Sequence, residues 1–104
     1  EVADRTLACL RRTVPAALAG VVFLSGGQTP EEATAHLNAM NARAVQLPWP
    51  LSFSYSRAIQ EPVLAAWARD RQDRAGTQRL LLHRARMNGA AAQGRWTPAL
   101  EAST

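Results

Sequence analysis

Ser25, Gly26 and Gly27 follow an apolar run and have the residue types of an anion-binding loop. Glycine carries no Cβ, so the main-chain N–H groups of this loop can come close to a ligand. The Ser25 hydroxyl adds one more hydrogen-bond donor. Such a loop can bind an anion, and a phosphate is the anion that it suits best.

A second segment of this kind follows another short apolar run further along the chain. It consists of Ser54, Tyr55, Ser56 and Arg57. A helix that begins near Ser56 or Arg57 would direct main-chain N–H groups at a ligand. Arg57 can add a bidentate, charge-assisted contact to a phosphate. The two segments together predict one phosphate site.

Each of these signals has a simpler explanation when it is taken alone. A Gly-Gly pair after a strand is more often only a turn, and an arginine at a helix start is more often only solvated. The phosphate site is favoured because the signals occur in two successive units. Other candidates are weaker, because His36 and His83 lack the spacing of metal ligands and Cys9 fits a buried position on a helix.

Strands and helices must position the two loops, and the sequence predicts both in alternation. Residues 20–25 and 51–54 are apolar runs of the kind found in parallel strands buried on both faces. Helices are predicted over residues 2–12, from Thr29 to residues 41–43, from residue 56 or 57 to residue 73, and over residues 77–92. Pro62 is expected to set off a short first turn, and Gly76 to separate the last two helices. Residues 95–104 are expected to form a loose tail.

The helix that begins after Thr29 has the clearest local signature. Thr29 can cap it, Pro30 fits its first position, and Glu32 completes a capping box. Apolar positions then recur at helical spacing. The predicted core positions of the chain are Leu7, Leu10, Ala33, Leu37, Met40, Ala44, Phe53, Trp67, Leu80, Leu81 and Met87.

Two strands joined by a crossover helix predict parallel pairing with a right-handed connection. Two parallel strands are not a stable sheet alone, because their edges stay unpaired and their apolar face is half covered. A (β/α)₈ barrel has about 250 residues and often binds phosphate with the loops after strands 7 and 8. We therefore predict an α/β fold in which residues 1–104 are the C-terminal quarter of such a barrel, with about two β/α units (units 7 and 8) and a final helix.

The composition is that of a globular protein with an unusual basic balance. Hydrophobic residues make up 47% of the 104 residues, far above the disordered range. No apolar run is long enough to span a bilayer, so no membrane contact is expected. The single cysteine excludes an internal disulfide and fits a reducing cytoplasm. All 12 basic residues are arginine, lysine is absent, and the net charge is +4.

The chain resembles class I fructose-bisphosphate aldolase, near the C-terminus of that family. The resemblance covers nearly the whole chain, through the motifs VP (14–15), FLSGGQ (23–28), LNAMN (37–41), PW (48–49), FSY (53–55), RAIQ (57–60), AW (66–67) and QG (93–94). It implies a cytoplasmic glycolytic and gluconeogenic lyase, commonly tetrameric, that needs no metal or other cofactor. Its sugar-phosphate substrate would be fructose 1,6-bisphosphate, reversibly cleaved to dihydroxyacetone phosphate and glyceraldehyde 3-phosphate.

The resemblance also implies roles for residues of the two loops. In the family, the residues matching Ser25, Gly26 and Arg57 bind a phosphate of the substrate, and the residue matching Ser54 lies in the same pocket region. The family usually has glycine at the position of Ser56, where the main-chain N–H contacts phosphate. A serine there would cost about 1–2 kcal/mol if the backbone had to be left-handed.

The catalytic groups that the resemblance implies are absent from this chain. Class I aldolases cleave the carbon–carbon bond through a Schiff base between a lysine and the substrate ketone. This chain has no lysine and begins with Glu1 instead of Met. We therefore expect a piece of a longer protein, with the lysine and the acid/base carboxylates upstream, and an isolated chain that is inactive.

Two other interpretations stay open from the sequence. The net charge of +4 and an isoelectric point of about 11.0 fit a small nucleic-acid-binding module, although acidic residues interrupt its basic surface and make this the less favoured choice. Its contacts would be Arg69, Arg71, Arg74, Arg79, Arg84 and Arg86. A degenerate product without a function of its own is compatible with the absence of lysine and with Ser56.

Overall fold

A computed structural model describes residues 1–43 and 46–102 of the chain. The elements in order are α1 (Val2–Thr13), β1 (Val21–Phe23), α2 (Pro30–Asn41), β2 (Leu51–Phe53), α3 (Arg57–Arg69), α4 (Arg74–Ala92) and α5 (Pro98–Ala102). The strands pair in parallel, with Val21 opposite Leu51 and Phe23 opposite Phe53. The predicted parallel pairing across a crossover helix is therefore confirmed, with strands shorter than expected.

Helix α2 begins as its sequence predicts. The Thr29 hydroxyl accepts a hydrogen bond from the Glu32 N–H (3.1 Å), and the Thr29 N–H donates to the Glu32 carboxylate (3.4 Å). Pro30 occupies the first turn, where its missing N–H costs nothing. Along the helix Ala33, Leu37 and Met40 are buried as expected, and Ala44 lies outside the described residues.

The core lies where α1, α2, β2 and the end of α4 meet. Its buried members are Ala3, Leu7, Leu37, Met40, Trp49, Leu51 and Ala91. Asn41 joins three of these elements, since its side-chain nitrogen lies within hydrogen-bonding distance of the carbonyls of Leu37, Leu51 and Ala91 (3.1–3.3 Å). Trp49 donates from its ring nitrogen to the Pro15 carbonyl (3.2 Å).

Three residues expected in buried positions, Trp67, Cys9 and Leu81, lie on the surface instead. Trp67 is 44% exposed, and the Arg71 guanidinium stacks on its ring, 4.5 Å from the centroid. Trp67 follows the buried Ala58 by nine positions, about half a turn around the helix axis, and so points away from the core. Cys9 is exposed because it lies about 200° around α1 from the buried Leu7. Leu81 is also exposed, whereas Met87 is buried.

Helix boundaries in the second half of the chain differ from the expected ones. Helix α3 continues through Pro62 without a separate first turn. The break before α4 comes at Asp70–Asp73, ahead of Gly76, because the Asp73 carboxylate caps α4 by accepting from the Gly76 N–H (3.0 Å). Of residues 95–104, which were expected to be loose, residues 98–102 form α5, and residues 103 and 104 lie outside the described part.

The two-stranded sheet leaves apolar side chains uncovered. Val22 is 61% exposed and Leu24 is 75% exposed, although both lie in or next to a strand with a buried-strand sequence. Within residues 1–43 and 46–102, no helix has the length and apolar character needed to cross a bilayer.

Candidate functional site

The two predicted loops meet at one edge of the sheet. Parallel strands place their carboxyl ends side by side, and here the Ser54 N–H donates to the Phe23 carbonyl (2.8 Å). The Ser54 side chain itself is exposed at this edge. The fold thus brings the loop after β1 next to the loop after β2, as the phosphate hypothesis requires.

Ser25 lies at the base of this edge and contacts the start of α3. It is only 4% exposed, and its hydroxyl oxygen accepts a hydrogen bond from the Ala58 N–H (3.4 Å). One of the first-turn N–H groups of α3 is therefore already used by Ser25. The Ser25 hydroxyl keeps its own proton for another partner, since it donates to no described residue.

Gly26 and Gly27 form the exposed rim of the first loop. Gly26 has φ +59°, a left-handed conformation that glycine adopts without steric cost. No described atom lies within 4 Å of a Cβ built on either glycine. Within the part of the chain that the structure describes, neither main-chain N–H has an acceptor, so both are free to bind a ligand.

The start of α3 suits an anion, whereas the start of α2 does not. The first turn of α3 contains no acidic residue, and its N-cap residue, Ser56, makes no side-chain cap hydrogen bond. Helix α2 carries Glu31 and Glu32 in its first turn and is capped by Thr29. Since the N-terminus of a helix is its positive end, the N–H groups of α3 are the ones available to an anion.

Ser56 precedes α3 without backbone strain. Its φ is −105° and its ψ is −74°, and every non-glycine residue in the described ranges has negative φ. The free-energy cost expected for a serine in the left-handed conformation therefore does not arise. The Ser56 hydroxyl donates to the Gln60 side-chain oxygen (3.4 Å).

Arg57 is the candidate cation of the site. Its side chain is exposed, and it makes no ion pair or hydrogen bond with any residue in ranges 1–43 and 46–102. By contrast, Arg5 pairs with Glu1 at 2.6 Å and Arg43 with Asp4 at 2.8 Å. The guanidinium of Arg57 is therefore available to a ligand.

Tyr55 anchors the second loop to α2. Its hydroxyl donates to the Ala33 carbonyl (2.9 Å), and its ring lies 5.7 Å from that of Phe53. Burial raises the pKa of the Tyr55 hydroxyl to about 12. The residue thus stays a neutral hydrogen-bond donor at physiological pH and acts as a structural tie.

Gln28 and His36 hold the first loop through hydrogen bonds. The sequence did not predict this role. The Ser25 carbonyl accepts from the Gln28 main-chain N–H (3.1 Å) and from its side-chain nitrogen (2.8 Å). His36 Nδ1 contacts the Gln28 side-chain oxygen. His36 had been expected to have only a surface or packing role.

A second polar cluster, around Glu101, lies against the middle of α4. The carboxylate is 13% exposed and accepts from Arg84, from His83 Nε2 (3.0 Å) and from Trp96 Nε1 (3.0 Å). Burial alone would raise the pKa of the Glu101 carboxyl, but the bonds from Arg84, His83 and Trp96 outweigh it and hold the pKa below 4.5. This cluster fastens α5 to α4.

Arg84 is therefore not part of a basic surface. It is 4% exposed, paired with Glu101 and bonded to the Thr34 hydroxyl (2.9 Å). Since Arg84 was one of the arginines of the nucleic-acid interpretation, its burial weakens that interpretation. Metal binding has no support in the described ranges either, where no three His, Cys, Asp or Glu side chains are grouped as ligands.

Comparison with known proteins decides the family. The model of the family fructose-bisphosphate aldolase class-I matches residues 1–104. The chain belongs to the class I fructose-bisphosphate aldolase family. It is 55% identical over 97 residues to a probable class 1 fructose-bisphosphate aldolase of Xanthomonas axonopodis pv. citri, and 54% identical over 96 residues to the Drosophila melanogaster enzyme. Each alignment covers 92% of this chain.

A solved aldolase shares the fold of this segment. The Plasmodium falciparum fructose-bisphosphate aldolase, in a ternary complex with TRAP and a small-molecule inhibitor, matches 93% of this chain with a TM-score of 0.85 and 46% identity. The chain spans only 28% of that structure, and 29% and 27% of the Xanthomonas and Drosophila relatives. It corresponds to less than a third of these aldolases.

Proposed function

We propose that the native protein carrying this chain is a class I fructose-bisphosphate aldolase, and that these residues supply its substrate-phosphate site. The observation that carries the proposal is that the two loops meet at one sheet edge. This edge has the free N–H groups of Gly26 and Gly27, the uncapped start of α3 and the unpaired Arg57 guanidinium. Membership of the class I aldolase family supports a sugar phosphate as the ligand at this edge.

The phosphate would be held mainly by charge-assisted bonds. Hydrogen bonds to charged groups contribute roughly 1.5–3 kcal/mol each, and Arg57 can make two of them in parallel. The Ser54 hydroxyl and the N–H of Ser56 add neutral donors to the same edge. No acidic side chain in the first turn of α3 opposes the bound dianion.

The fold supports the same proposal. The exposed side chains of Val22 and Leu24 need further sheet and helix to cover them. A (β/α)₈ barrel provides that cover, and its phosphate sites often use the last two β/α loops. We place residues 1–104 as the C-terminal quarter of this barrel, in a cytoplasmic enzyme that assembles as a tetramer.

The carbon–carbon bond is cleaved elsewhere in the proposed enzyme. This sequence has no lysine, so the Schiff base and its acid/base carboxylates belong to residues outside these 104. The segment contributes binding and orientation of fructose 1,6-bisphosphate and of the triose phosphates. Because such contacts act equally on bound substrate and transition state, they lower KM more than they raise kcat.

The test is Arg57→Ala in the native protein, with fructose 1,6-bisphosphate cleavage as the assay. We expect KM to rise at least roughly tenfold, since a charge-assisted bidentate contact is lost. Arg69→Ala is the matched control, because Arg69 is an exposed arginine at the far end of the same helix. Equal KM and kcat in the wild type and Arg57→Ala would refute the phosphate site, and a native mass near 11.3 kDa would refute the Schiff-base enzyme.

A further inference from the structure

Gln28 and His36 form a hydrogen-bonded chain that ends on the anion-binding loop. Gln28 reaches the Ser25 carbonyl with both its main-chain N–H (3.1 Å) and its side-chain nitrogen (2.8 Å). Its side-chain oxygen contacts His36 Nδ1 on α2. We infer that Gln28, held by His36, is a positioning residue that fixes the Gly26 N–H for phosphate binding. The inference rests on the proposed function.

The donor and acceptor chemistry of Ser25, Gln28 and His36 fixes the direction of each hydrogen bond between them. A carbonyl oxygen only accepts, so the Gln28 atom 2.8 Å from the Ser25 carbonyl must be the amide nitrogen. The amide oxygen then faces His36 Nδ1. Since that oxygen also only accepts, Nδ1 must carry the hydrogen. The Ser25 carbonyl thus sets the orientation of the Gln28 amide, and His36, as a donor from Nδ1, holds that orientation.

The peptide plane transmits this bond to the ligand side of the loop. The Ser25 carbonyl and the Gly26 N–H belong to one planar trans peptide, in which they point in opposite directions. Two donors from Gln28 hold the carbonyl towards Gln28, so the Gly26 N–H is held pointing away from Gln28. Gly26 at φ +59° has no Cβ to fix its own backbone, which makes an external tie effective.

A second hydrogen bond helps to fix the peptide plane between Ser25 and Gly26. The Ser25 hydroxyl accepts from the Ala58 N–H (3.4 Å), which fixes the side-chain end of the same residue against α3. Gln28 and Ala58 thus hold Ser25 from two elements. Removal of the Gln28 side-chain bond would leave the 25–26 peptide with one donor fewer and freer to rotate, while the bond between Ser25 and Ala58 stays in place.

The experiment compares Gln28→Met with the wild-type native protein. Methionine has a similar length and no side-chain donor, so it removes the side-chain bond to the Ser25 carbonyl with little change of volume, while the main-chain N–H of residue 28 still donates to it. We expect the dissociation constant for inorganic phosphate, measured by calorimetry, to rise roughly three- to tenfold, in line with the loss of one hydrogen bond. KM for fructose 1,6-bisphosphate should rise by a similar factor at nearly unchanged kcat.

His36→Leu tests whether His36 acts through Gln28. Alone, it should weaken phosphate binding by less than Gln28→Met does. Combined with Gln28→Met, it should add nothing, because residues that act in one chain give non-additive effects. Independent, additive losses of phosphate affinity would show that His36 does not act through Gln28, and would overturn the inference that the two residues act together. If Gln28→Met fails to fold, His36→Leu alone must weaken phosphate binding for the inference to stand.

Two controls separate positioning from general destabilisation. Gln78→Met changes an exposed glutamine on α4 and should leave phosphate affinity unchanged. A Gln28→Met protein with a lower unfolding temperature but wild-type phosphate affinity would overturn the inference. If Arg57→Ala weakens phosphate binding and Gln28→Met does not, the inference alone fails. If neither variant changes it, the proposed phosphate site and the inference both fail.

Discussion

The hydroxyl oxygen of Ser25 accepts a hydrogen bond from the main-chain N–H of Ala58 at 3.4 Å. Ser25 lies near the start of the loop after β1, and Ala58 lies in the first turn of α3. Both residues are buried, at 4% and 1% exposure. This bond joins the two loops of the candidate site, so the glycine N–H groups and the start of α3 are positioned together.

Ser25→Ala should therefore weaken the site as well as the fold. It leaves the buried Ala58 N–H without an acceptor, which costs about 1–3 kcal/mol. The unfolding temperature and the affinity for inorganic phosphate should both fall. Ser52→Ala is the control, a partly buried strand serine outside the two loops. Similar losses in both variants would contradict a special role for the Ser25 bond.

Gly26→Ala and Gly27→Ala should differ although both sites have open space. Gly26 has φ +59° and Gly27 does not have positive φ, and no described atom lies within 4 Å of either new Cβ. The left-handed backbone costs alanine about 1–2 kcal/mol at Gly26 alone. Phosphate titration and thermal unfolding should show a loss for Gly26→Ala and almost none for Gly27→Ala. An equal response would mean that the Gly26 conformation is not required.

Gly94→Ala should be among the most damaging single changes in the chain. Gly94 has φ +71°, and a Cβ there would lie 2.9 Å from the Asn41 carbonyl oxygen and 3.0 Å from its carbon. These are backbone atoms, so neither can move without shifting the end of α2. We expect a loss of at least about 2 kcal/mol in the free energy of unfolding, from strain and overpacking combined.

Gly89→Ala is the matched control for that measurement. Gly89 lies inside α4, and a Cβ there meets no described atom within 4 Å. Alanine in a helix interior is favoured over glycine by roughly 0.5–1 kcal/mol. Denaturant unfolding should therefore show opposite signs for the two changes. A neutral Gly94→Ala would show that the end of α2 can move away from this contact.

Local signals in the sequence predicted the elements well. The capping box at Thr29 and Glu32 and the end of the last long helix at residue 92 each depend on a few neighbouring residues, and both are present in the structure. The parallel pairing followed from two apolar runs joined by a helix. The loops meet at one edge because the carboxyl ends of parallel strands lie at the same edge of a sheet.

Features that depend on helix phase or on distant partners were not predictable in this way. Trp67 is hydrophobic, but only the phase of α3 relative to Ala58 shows that it faces outward. The expected loose tail contains α5 because Glu101 meets Arg84 and His83 from another helix. The role of Gln28 needed the backbone, since its partner is a carbonyl that carries no sequence signal.

Attachment of α5 should depend on pH through Glu101. The hydrogen bonds from Arg84, His83 and Trp96 hold the pKa of this carboxyl below 4.5 in the folded state. A group with a lowered folded pKa contributes stability that is complete above its unfolded pKa and is lost as the pH falls through the folded pKa. The contribution of Glu101 is therefore complete above pH 4.5 and declines below it.

Hydrogen exchange of the amides of residues 99–102 measures this attachment directly. In the wild type, protection of these amides should fall as the pH drops below 4.5, after correction for intrinsic exchange rates. Glu101→Gln should show low protection at every pH, because a neutral amide cannot replace the carboxylate between Arg84 and His83. Glu61→Gln, at an exposed position of α3, should keep the wild-type profile. A wild-type profile in Glu101→Gln would mean that other contacts, such as those of Leu100, hold α5 in place.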